Sequence, residues 1–496
     1  MATARSEFRC LLGSEIICLA SFDPHQTLLD FLRLEKGLTG TKEGCAEGDC
    51  GACTVLLGRL ENSRIHYQPV NACIVPLGII DSTQVLTVEH LADPEPHPVQ
   101  QAMAQAHGSQ CGFCTPGIVM SLAGLHYDCD AGHANPDHQT LSDTLAGNLC
   151  RCTGYGSIMS AAGTACVQPL PGQSRSLRSI AHRVLDEWGQ DDTFLNMSGP
   201  LGSFAIPTDL ETLWQTQCTY PDAQLIAGAT DVGLWINKHH QRFESIINLS
   251  HVAELKRIEH TQNTLKIGAT ATVAQGLEQM TNLAPDLGPL LRRFGSAQVR
   301  AQATFGGNIA NGSPIGDLAP VLIALGATLH LVSPDHQRSI ALEDFFVDYG
   351  KQDLAPGEIV HTISIPDDAF TQLQCWKISK RFDQDISAVC GAFCLHVTGG
   401  TIISARVAFG GMASTPQRAR HCEEALVGQN ADCTSLEPAA AALKHDFAPI
   451  TDMRASASYR TDVARGLLER CLRTLGGDPL ELLYPVSKAP GLSAHD

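Results

Sequence analysis

The sequence has no long hydrophobic run, no surplus of basic charge and no apolar leader. Its longest apolar stretch, residues 318–332, is interrupted by Pro320 and His330 and is too short to cross a bilayer. A formal net charge of −18 argues against nucleic acid and anionic membrane as partners. The opening residues, Met1-Ala2-Thr3-Ala4-Arg5, lack the apolar core of a secretory signal, so the 19 cysteines are not expected to build a disulfide framework. The expected compartment is a reducing cytoplasm, where thiols stay available as metal ligands. With 496 residues, 44% of them apolar and 17% charged, the chain is long enough for several ordinary globular domains.

What is plentiful is cysteine, and its spacing is ordered. Gly44-Cys45-Ala46-Glu47-Gly48-Asp49-Cys50-Gly51-Ala52-Cys53 sets three thiols at C-x4-C-x2-C, and Cys73 follows. This is the ligand spacing of a plant-type [2Fe–2S] cluster, with glycines that let backbone N–H groups close on the sulfurs. A zinc knuckle asks for two separated C-x2-C pairs, and this loop has one. A second set, Cys111-Gly112-Phe113-Cys114 with Cys150-Arg151-Cys152, again offers four thiols, for which zinc is the rival when the set is taken alone. Two four-cysteine sets in one stretch imply one-electron transfer. The other eleven cysteines, Cys390 and Cys394 among them, are expected to be buried small apolar residues.

The stretches 44–55, 110–117 and 148–155 resemble the double [2Fe–2S] region of the xanthine oxidase (molybdenum hydroxylase) family.

The rest of the chain reads as multidomain α+β. Residues 8–20 predict a hairpin turning at Gly13-Ser14, and a short helix over 27–33 precedes the cysteine loop. Strands then run from Cys53 to about Val88, giving a β-grasp ferredoxin-type domain over 1–92. From His97 the period is helical, so an all-α [2Fe–2S] domain is expected over 93–168. Pro, Gly and Ser make 169–192 a polar linker. A domain over 193–370 opens with a capping box, Thr208 as N-cap and Glu211 as its partner. In it Gln224-Leu225-Ile226-Ala227-Gly228-Ala229-Thr230-Asp231 is a short strand running into a small-residue turn whose amides can face an anion. Thr304-Phe305-Gly306-Gly307-Asn308, with Asp317 beyond it, is a second such turn. Neither is a G-x-G-x-x-G fingerprint, so a Rossmann site is not indicated, and each alone is equally a plain connection. One-electron carriers need a two-electron terminus, and flavin is the usual converter. The last domain, 371–485, reads as strands over 376–380, 388–397 and 402–409 with helices over 416–426 and 462–475. A disordered tail is expected over 486–496.

The resemblance runs on, from about residue 8 to 483. Residues 224–231, 304–308 and Asp317 look like the pyrophosphate- and flavin-contacting stretches of the family's FAD domain, of the vanillyl-alcohol-oxidase (PCMH) type. Phe294 matches its aromatic beside the isoalloxazine, and Val360 and Lys377 match two further contacts; Phe294 and Val360 are otherwise plain core. Residues 409–416 and 452–460 resemble the CO-dehydrogenase-flavoprotein C-terminal domain. This order on one chain is similar to the small subunit of the family's bacterial two-chain members. The resemblance implies a molybdopterin-binding large subunit as partner in an α2β2 heterotetramer, oxidising xanthine or hypoxanthine to urate. Electrons would enter at the Cys111 set, pass to the Cys45 set and FAD, and leave to NAD+. The hydroxylation site lies on the partner, so no catalytic residue is expected here. Tyr349, Asp383 and Asp385 match the nicotinamide side. The loop Arg381-Phe382-Asp383-Gln384-Asp385 departs from the more acidic mammalian pattern at Phe382 and Gln384, and reads equally as a solvated turn. The rivals are a family member acting on another N-heterocycle or aldehyde, a stand-alone NADH-driven iron–sulfur flavin reductase, and a zinc-binding assembly protein.

Overall fold

The computed structural model describes residues 3–92, 95–130, 136–191, 193–370 and 372–478. The tail expected from 486, and the end of the domain expected to reach 485, lie outside the described residues. The backbone gathers into two units. One takes the chain up to Ile258 with Ile267–Leu277 and Arg292–Gly307; the other takes Glu259–Lys266, Glu278–Leu291 and the chain from Asn308 onward.

In the first unit, Phe8–Leu12 turns back at Gly13 into Glu15–Leu19, as the sequence predicts. The sheet order is Glu15–Leu19, Phe8–Leu12, Gln84–Leu86, Thr54–Glu61, Arg64–Asn71, with Phe8–Leu12 and Gln84–Leu86 the parallel pair. This is the expected ferredoxin-like arrangement. The short helix expected over 27–33 is present over residues 28–35, but it is not uniform. Thr27 caps it, but it is α-helical only over Leu28–Asp30 and widens to a π-turn over Phe31–Glu35. The extra residue in the turn lets Leu28, Leu29, Phe31 and Leu32 all enter the core.

Four helices follow: Pro98–Gln105, Thr115–Asp130, His138–Leu145 and Gly156–Cys166. Val99, Met103, Ile118, Leu122, Ile158 and Ala162 form their shared core. The stretch 169–192, expected as a polar linker, is instead mostly the helix Gly172–Gly189. Its front is rich in Pro, Gly and Ser, but Leu177, Ala181, Val184 and Leu185 recur at helical spacing and are buried. Ala181 and Val184 cover Leu11, which points out of the back of the ferredoxin sheet.

A second sheet in this unit joins Thr193–Gly199, Gly202–Ile206, Ser245–Asn248 and Gln224–Ile226. Thr3–Arg5 adds to its edge, parallel to Thr193–Gly199, a pairing the sequence did not suggest. The capping box is shifted by one residue. Asp209 rather than Thr208 caps Leu210–Thr219, and Thr212 rather than Glu211 answers it. The Thr208 carbonyl is held by the Ala253 N–H at 2.9 Å, so the helix begins one residue later.

In the second unit, Thr328–Val332 lies between Gln337–Ala341 and Ile359–Pro366, antiparallel to both. The apolar run 318–332 divides into the helix Leu318–Ala324 and this strand, and no described helix is long and apolar enough to cross a membrane. Leu373–Ile378, Val389–Thr398, Thr401–Gly410 and Gln417–Arg418 form an antiparallel meander. Its apolar face packs on Arg420–Leu426, Leu436–Asp446 and Ala457–Leu475. The middle helix was not expected: Pro438 suggests a break but stands in the first turn, where proline is tolerated. Among the cysteines expected to be buried, Cys18, Cys218 and Cys433 are exposed and Cys129 is half-buried. In Glu15–Leu19 the strand alternation that turns Ile17 inward turns Cys18 out.

Arg460 is buried at the foot of the last helix. It donates to the carbonyls of Ala388 and Gly411 and pairs with Asp452 at 2.7 Å. Arg460→Met would leave both carbonyls without this donor, and a loss of about 2–4 kcal/mol is expected, read as a lowered denaturant midpoint.

Candidate iron–sulfur and flavin sites

Cys45, Cys50, Cys53 and Cys73 come together although a whole hairpin separates the last two. Thr54–Glu61 and Arg64–Asn71 pair Thr54 with Asn71, so the residues flanking them return to one end of the sheet. The Cys45 thiol is within hydrogen-bonding reach of Cys50 and Cys73, and Cys73 is within reach of Cys53. The Cys50 thiol above all, then Cys73, holds Cys45 far toward the thiolate. Its sulfur also receives the N–H groups of Glu47 and Cys50, each at 3.4 Å. Gly51 makes the tight turn at φ +69°, where a Cβ would come 2.1 Å from the Gly147 carbonyl.

With N–H groups turned to sulfur, the loop's carbonyls face away, and five of them, with that of Cys73, meet donors. Lys238 Nζ donates to Cys45 O at 2.5 Å, and Asn237 Nδ2 to Ala46 O at 3.4 Å and to Cys73 O. Asn71 Nδ2 donates to Gly48 O at 2.7 Å, Leu149 N to Cys50 O at 3.0 Å and Asn148 Nδ2 to Gly51 O at 3.0 Å.

The second set is built from two helix approaches. Cys111 and Cys114 precede Thr115–Asp130; Cys150 and Cys152 precede Gly156–Cys166. The thiols meet as two pairs, Cys114 with Cys150 and Cys111 with Cys152. Burial pushes Cys114 up to about 12. Burial also opposes the Cys150 thiolate, but hydrogen bonds from Thr153 and from the Cys152 N–H outweigh it and lower its pKa. Tyr155 Oη accepts from Cys150 N at 2.7 Å and donates to Asn148 O at 3.0 Å, holding the turn. Among the described residues, no three or more His, Cys, Asp or Glu side chains converge on a single metal ion. A [2Fe–2S] cluster asks for four thiolates spread over two irons, one pair to each, and the paired sulfurs of the second set suit that requirement.

Sequence reasoning missed the buried amides. Gln298 Nε2 lies 3.2 Å from Thr54 Oγ1, 3.1 Å from Ser121 Oγ and 3.1 Å from Asn148 Oδ1. Asn71 and Asn148 had a signal: each stands two residues before a ligand-type cysteine, as Asn71-Ala72-Cys73 and Asn148-Leu149-Cys150. Nothing local marks Gln298, Asn237 or Lys238.

The strand Gln224–Ile226 ends in the expected turn, which leads to the helix Val232–Asn237. No described acceptor takes the N–H groups of Gly228, Ala229, Thr230 or Asp231. A Cβ at Gly228 would stand 1.6 Å from the Gln302 carbonyl. The open amides and the bare backbone fit an anionic group such as a pyrophosphate. The second turn differs from expectation. Thr304 starts the helix Phe305–Asn311, which contains Asn308, and its amides are committed: Phe305 N to Ala271 O, Gly306 N to Ala269 O, Gly307 N to Thr304 Oγ1. They pack this turn onto 269–271 and are not free for an anion. Phe294 is half-buried, and its carbonyl accepts from Arg300 Nη1 at 3.3 Å.

In the second unit, Lys377 and Asp317 form a buried ion pair at 2.5 Å, and Ser387 Oγ donates to the other Asp317 oxygen at 2.5 Å. Val360 is buried in Ile359–Pro366. Tyr349 is 73% exposed. Asp385 accepts from the N–H groups of Arg381 and Ile386, closing a turn on which Asp383 is exposed. Burial opposes the Asp385 charge, but these bonds lower its pKa.

Four family models match in order: a 2Fe-2S iron-sulfur cluster binding domain over 18–78, a [2Fe-2S] binding domain over 87–163, the FAD binding domain in molybdopterin dehydrogenase over 199–368, and the CO dehydrogenase flavoprotein C-terminal domain over 374–475. Each cysteine set falls inside its own match. The chain belongs to the xanthine oxidase, or molybdenum hydroxylase, family. It is an iron–sulfur and FAD module of that family. A xanthine dehydrogenase of Emericella nidulans is 32% identical over 93% of this chain and 38% of its own length. The xanthine dehydrogenase/oxidase of Rattus norvegicus is 33% identical over 79% of this chain and 33% of its own. The chain thus spans about a third of the length of these relatives. Among solved structures, quinoline 2-oxidoreductase from Pseudomonas putida is similar over 57% of this chain and 99% of its own, with TM-score 0.52 and 25% identity. A chain of CO dehydrogenase from Oligotropha carboxidovorans is similar over 55% and 97%, also with TM-score 0.52 and 25% identity.

Gly228→Val should lower FAD content while leaving iron unchanged, because its side chain would collide with the Gln302 backbone and push the open amides of 228–231 out of place. FAD-to-protein ratio by absorbance, beside iron analysis, checks this; full FAD retention would refute the loop's role.

Proposed function

We propose that this chain is the electron-transfer subunit of a xanthine dehydrogenase. It would receive electrons from a molybdopterin-carrying partner that oxidises xanthine or hypoxanthine to urate, and deliver them to NAD+. Cys45, Cys50, Cys53 and Cys73 would hold one [2Fe–2S] cluster, Cys111, Cys114, Cys150 and Cys152 a second, and the open amides of 228–231 the FAD pyrophosphate. When bound, the clusters supply one-electron steps and FAD the exchange between single electrons and pairs. The observation that carries this reading is the join between the two thiol sets: the Leu149 N–H, next to Cys150, bonds the carbonyl of Cys50 at 3.0 Å. The protein's part is to fix separation, exclude water and place donors about sulfur. Tyr349, Asp383 and Asp385 are proposed to face the nicotinamide, and the partner to complete an α2β2 assembly in the cytoplasm.

A second reading, a subunit serving a different N-heterocycle hydroxylase, draws on the likeness to quinoline 2-oxidoreductase. The thiol and flavin sites would do the same work in either, and only the partner's substrate differs.

The chain should carry about four iron atoms and about one FAD. Cys45→Ser and Cys111→Ser should each remove a different EPR signal of the dithionite-reduced protein, and loss of one common signal would disprove the division into two sets. The isolated chain should oxidise NADH with a one-electron acceptor yet leave xanthine untouched. In a complex with the partner, Cys114→Ser should stop xanthine-to-NAD+ transfer and spare NADH oxidation. Urate formation fails in the second reading, whereas xanthine turnover by the isolated chain would end the subunit reading altogether.

A further inference from the structure

The helix Val232–Asn237, which leaves the open-amide loop, lies against the Cys45 loop. Gly233 permits the approach, since a Cβ there would stand 2.4 Å from the Ile74 carbonyl. Val232 and Ile236 share a core with Cys53, Cys73 and Ile74. At its end Asn237 fixes Ala46 O and Cys73 O, and Lys238 places an ammonium 2.5 Å from the carbonyl of Cys45. The same ammonium lies 3.5 Å from the Glu47 carboxylate, which stands between Cys45 and Cys50 in the chain. One positive and one negative side chain therefore stand together beside a single thiol set, Lys238 bonded to its backbone and Glu47 carried on it.

We propose that Lys238 and Glu47 are an opposed pair that sets the reduction potential of the cluster at Cys45, Cys50, Cys53 and Cys73. The inference rests on the cluster reading above. Adding an electron makes a cluster more negative. A nearby cation favours the reduced form and raises the potential; a nearby anion lowers it. Lys238 and Glu47 act against each other, and the balance between them decides how readily this cluster is reduced. Both are partly exposed, so salt weakens the effect.

The test is an EPR-monitored redox titration of the purified, iron-loaded chain, with the signal identified by its loss in Cys45→Ser. Lys238→Gln should shift this cluster to lower potential and Glu47→Gln to higher. The double variant should return close to the parent, Lys238→Arg should match it, and the Cys111-set signal should move far less in all of them. The single shifts should shrink at high salt. An unmoved potential in Lys238→Gln, with both signals and iron content intact, overturns the inference alone. Shifts of the same sign in both single variants also overturn it, since they would report packing rather than charge. A parent chain with no iron signal overturns the cluster reading and this inference together.

Discussion

A loop that turns its N–H groups to sulfur turns its carbonyls outward, and buried carbonyls must find donors elsewhere. That constraint organises the first unit. The Cys45 loop cannot satisfy itself, so donors arrive from three directions. Asn71 comes from the loop's own hairpin, Asn148 and Leu149 from the approach to the second cysteine set, and Asn237 and Lys238 from the helix behind the open-amide turn. Each donor sits next to something the proposed function needs: Asn71 and Asn148 near cysteines, Asn237 and Lys238 at the end of the flavin loop's helix.

The consequence is mutual dependence. Gly51 O is met by Asn148, whose Oδ1 takes the Ser121 hydroxyl at 2.7 Å, and Gln298 Nε2 reaches both residues and Thr54. Thr54, Ser121, Asn148 and Gln298 are all buried. Gln298 Nε2 is met on every side while its Oε1 has no partner among the described residues, and the contacts that are made require the ferredoxin sheet, the helical segment and the segment before Thr304 to be docked at once. Iron binding, loop closure and docking are thereby coupled, as metal binding and folding generally are. The N-terminal strand Thr3–Arg5, paired with Thr193–Gly199, joins the start of the chain to the second sheet of this unit.

What the sequence discloses and what it hides follow the same division. Cysteine spacing is local, so both thiol sets are legible from it, whereas the identity of the two domains beyond them is legible only through the family resemblance. Strand alternation gave the hairpin and the last domain's meander. The helix Gly172–Gly189 is hidden in the sequence because the Pro, Gly and Ser at its front outweigh a period that only its buried face explains. The committed amides of Phe305 and Gly306 are hidden because their partners lie far back in the chain, at Ala271 and Ala269, while that of Gly307 is taken by Thr304 within the turn itself. Gln298, Asn237 and Lys238 were invisible: a single polar residue carries no pattern, and its meaning comes wholly from the carbonyl it reaches. Asn71 and Asn148 stand between these cases, repeated as N-x-C but readable only once the thiols are known to be ligands.

One chain of bonds shows why holding the loop and tuning it are a single task. Asn237 donates to the carbonyl of Ala46, and the N–H of that same peptide unit belongs to Glu47, which donates to the Cys45 sulfur. Hydrogen bonds in series polarise one another, by about 10–30% per bond in condensed-phase estimates. A donor placed on the carbonyl therefore strengthens the N–H that faces the sulfur, although it never touches the sulfur itself. Lys238 on Cys45 O adds a full charge one peptide unit away. Side chains outside the loop thus reach its thiolates through the backbone, and a change that merely loosens a cap also weakens a hydrogen bond to sulfur.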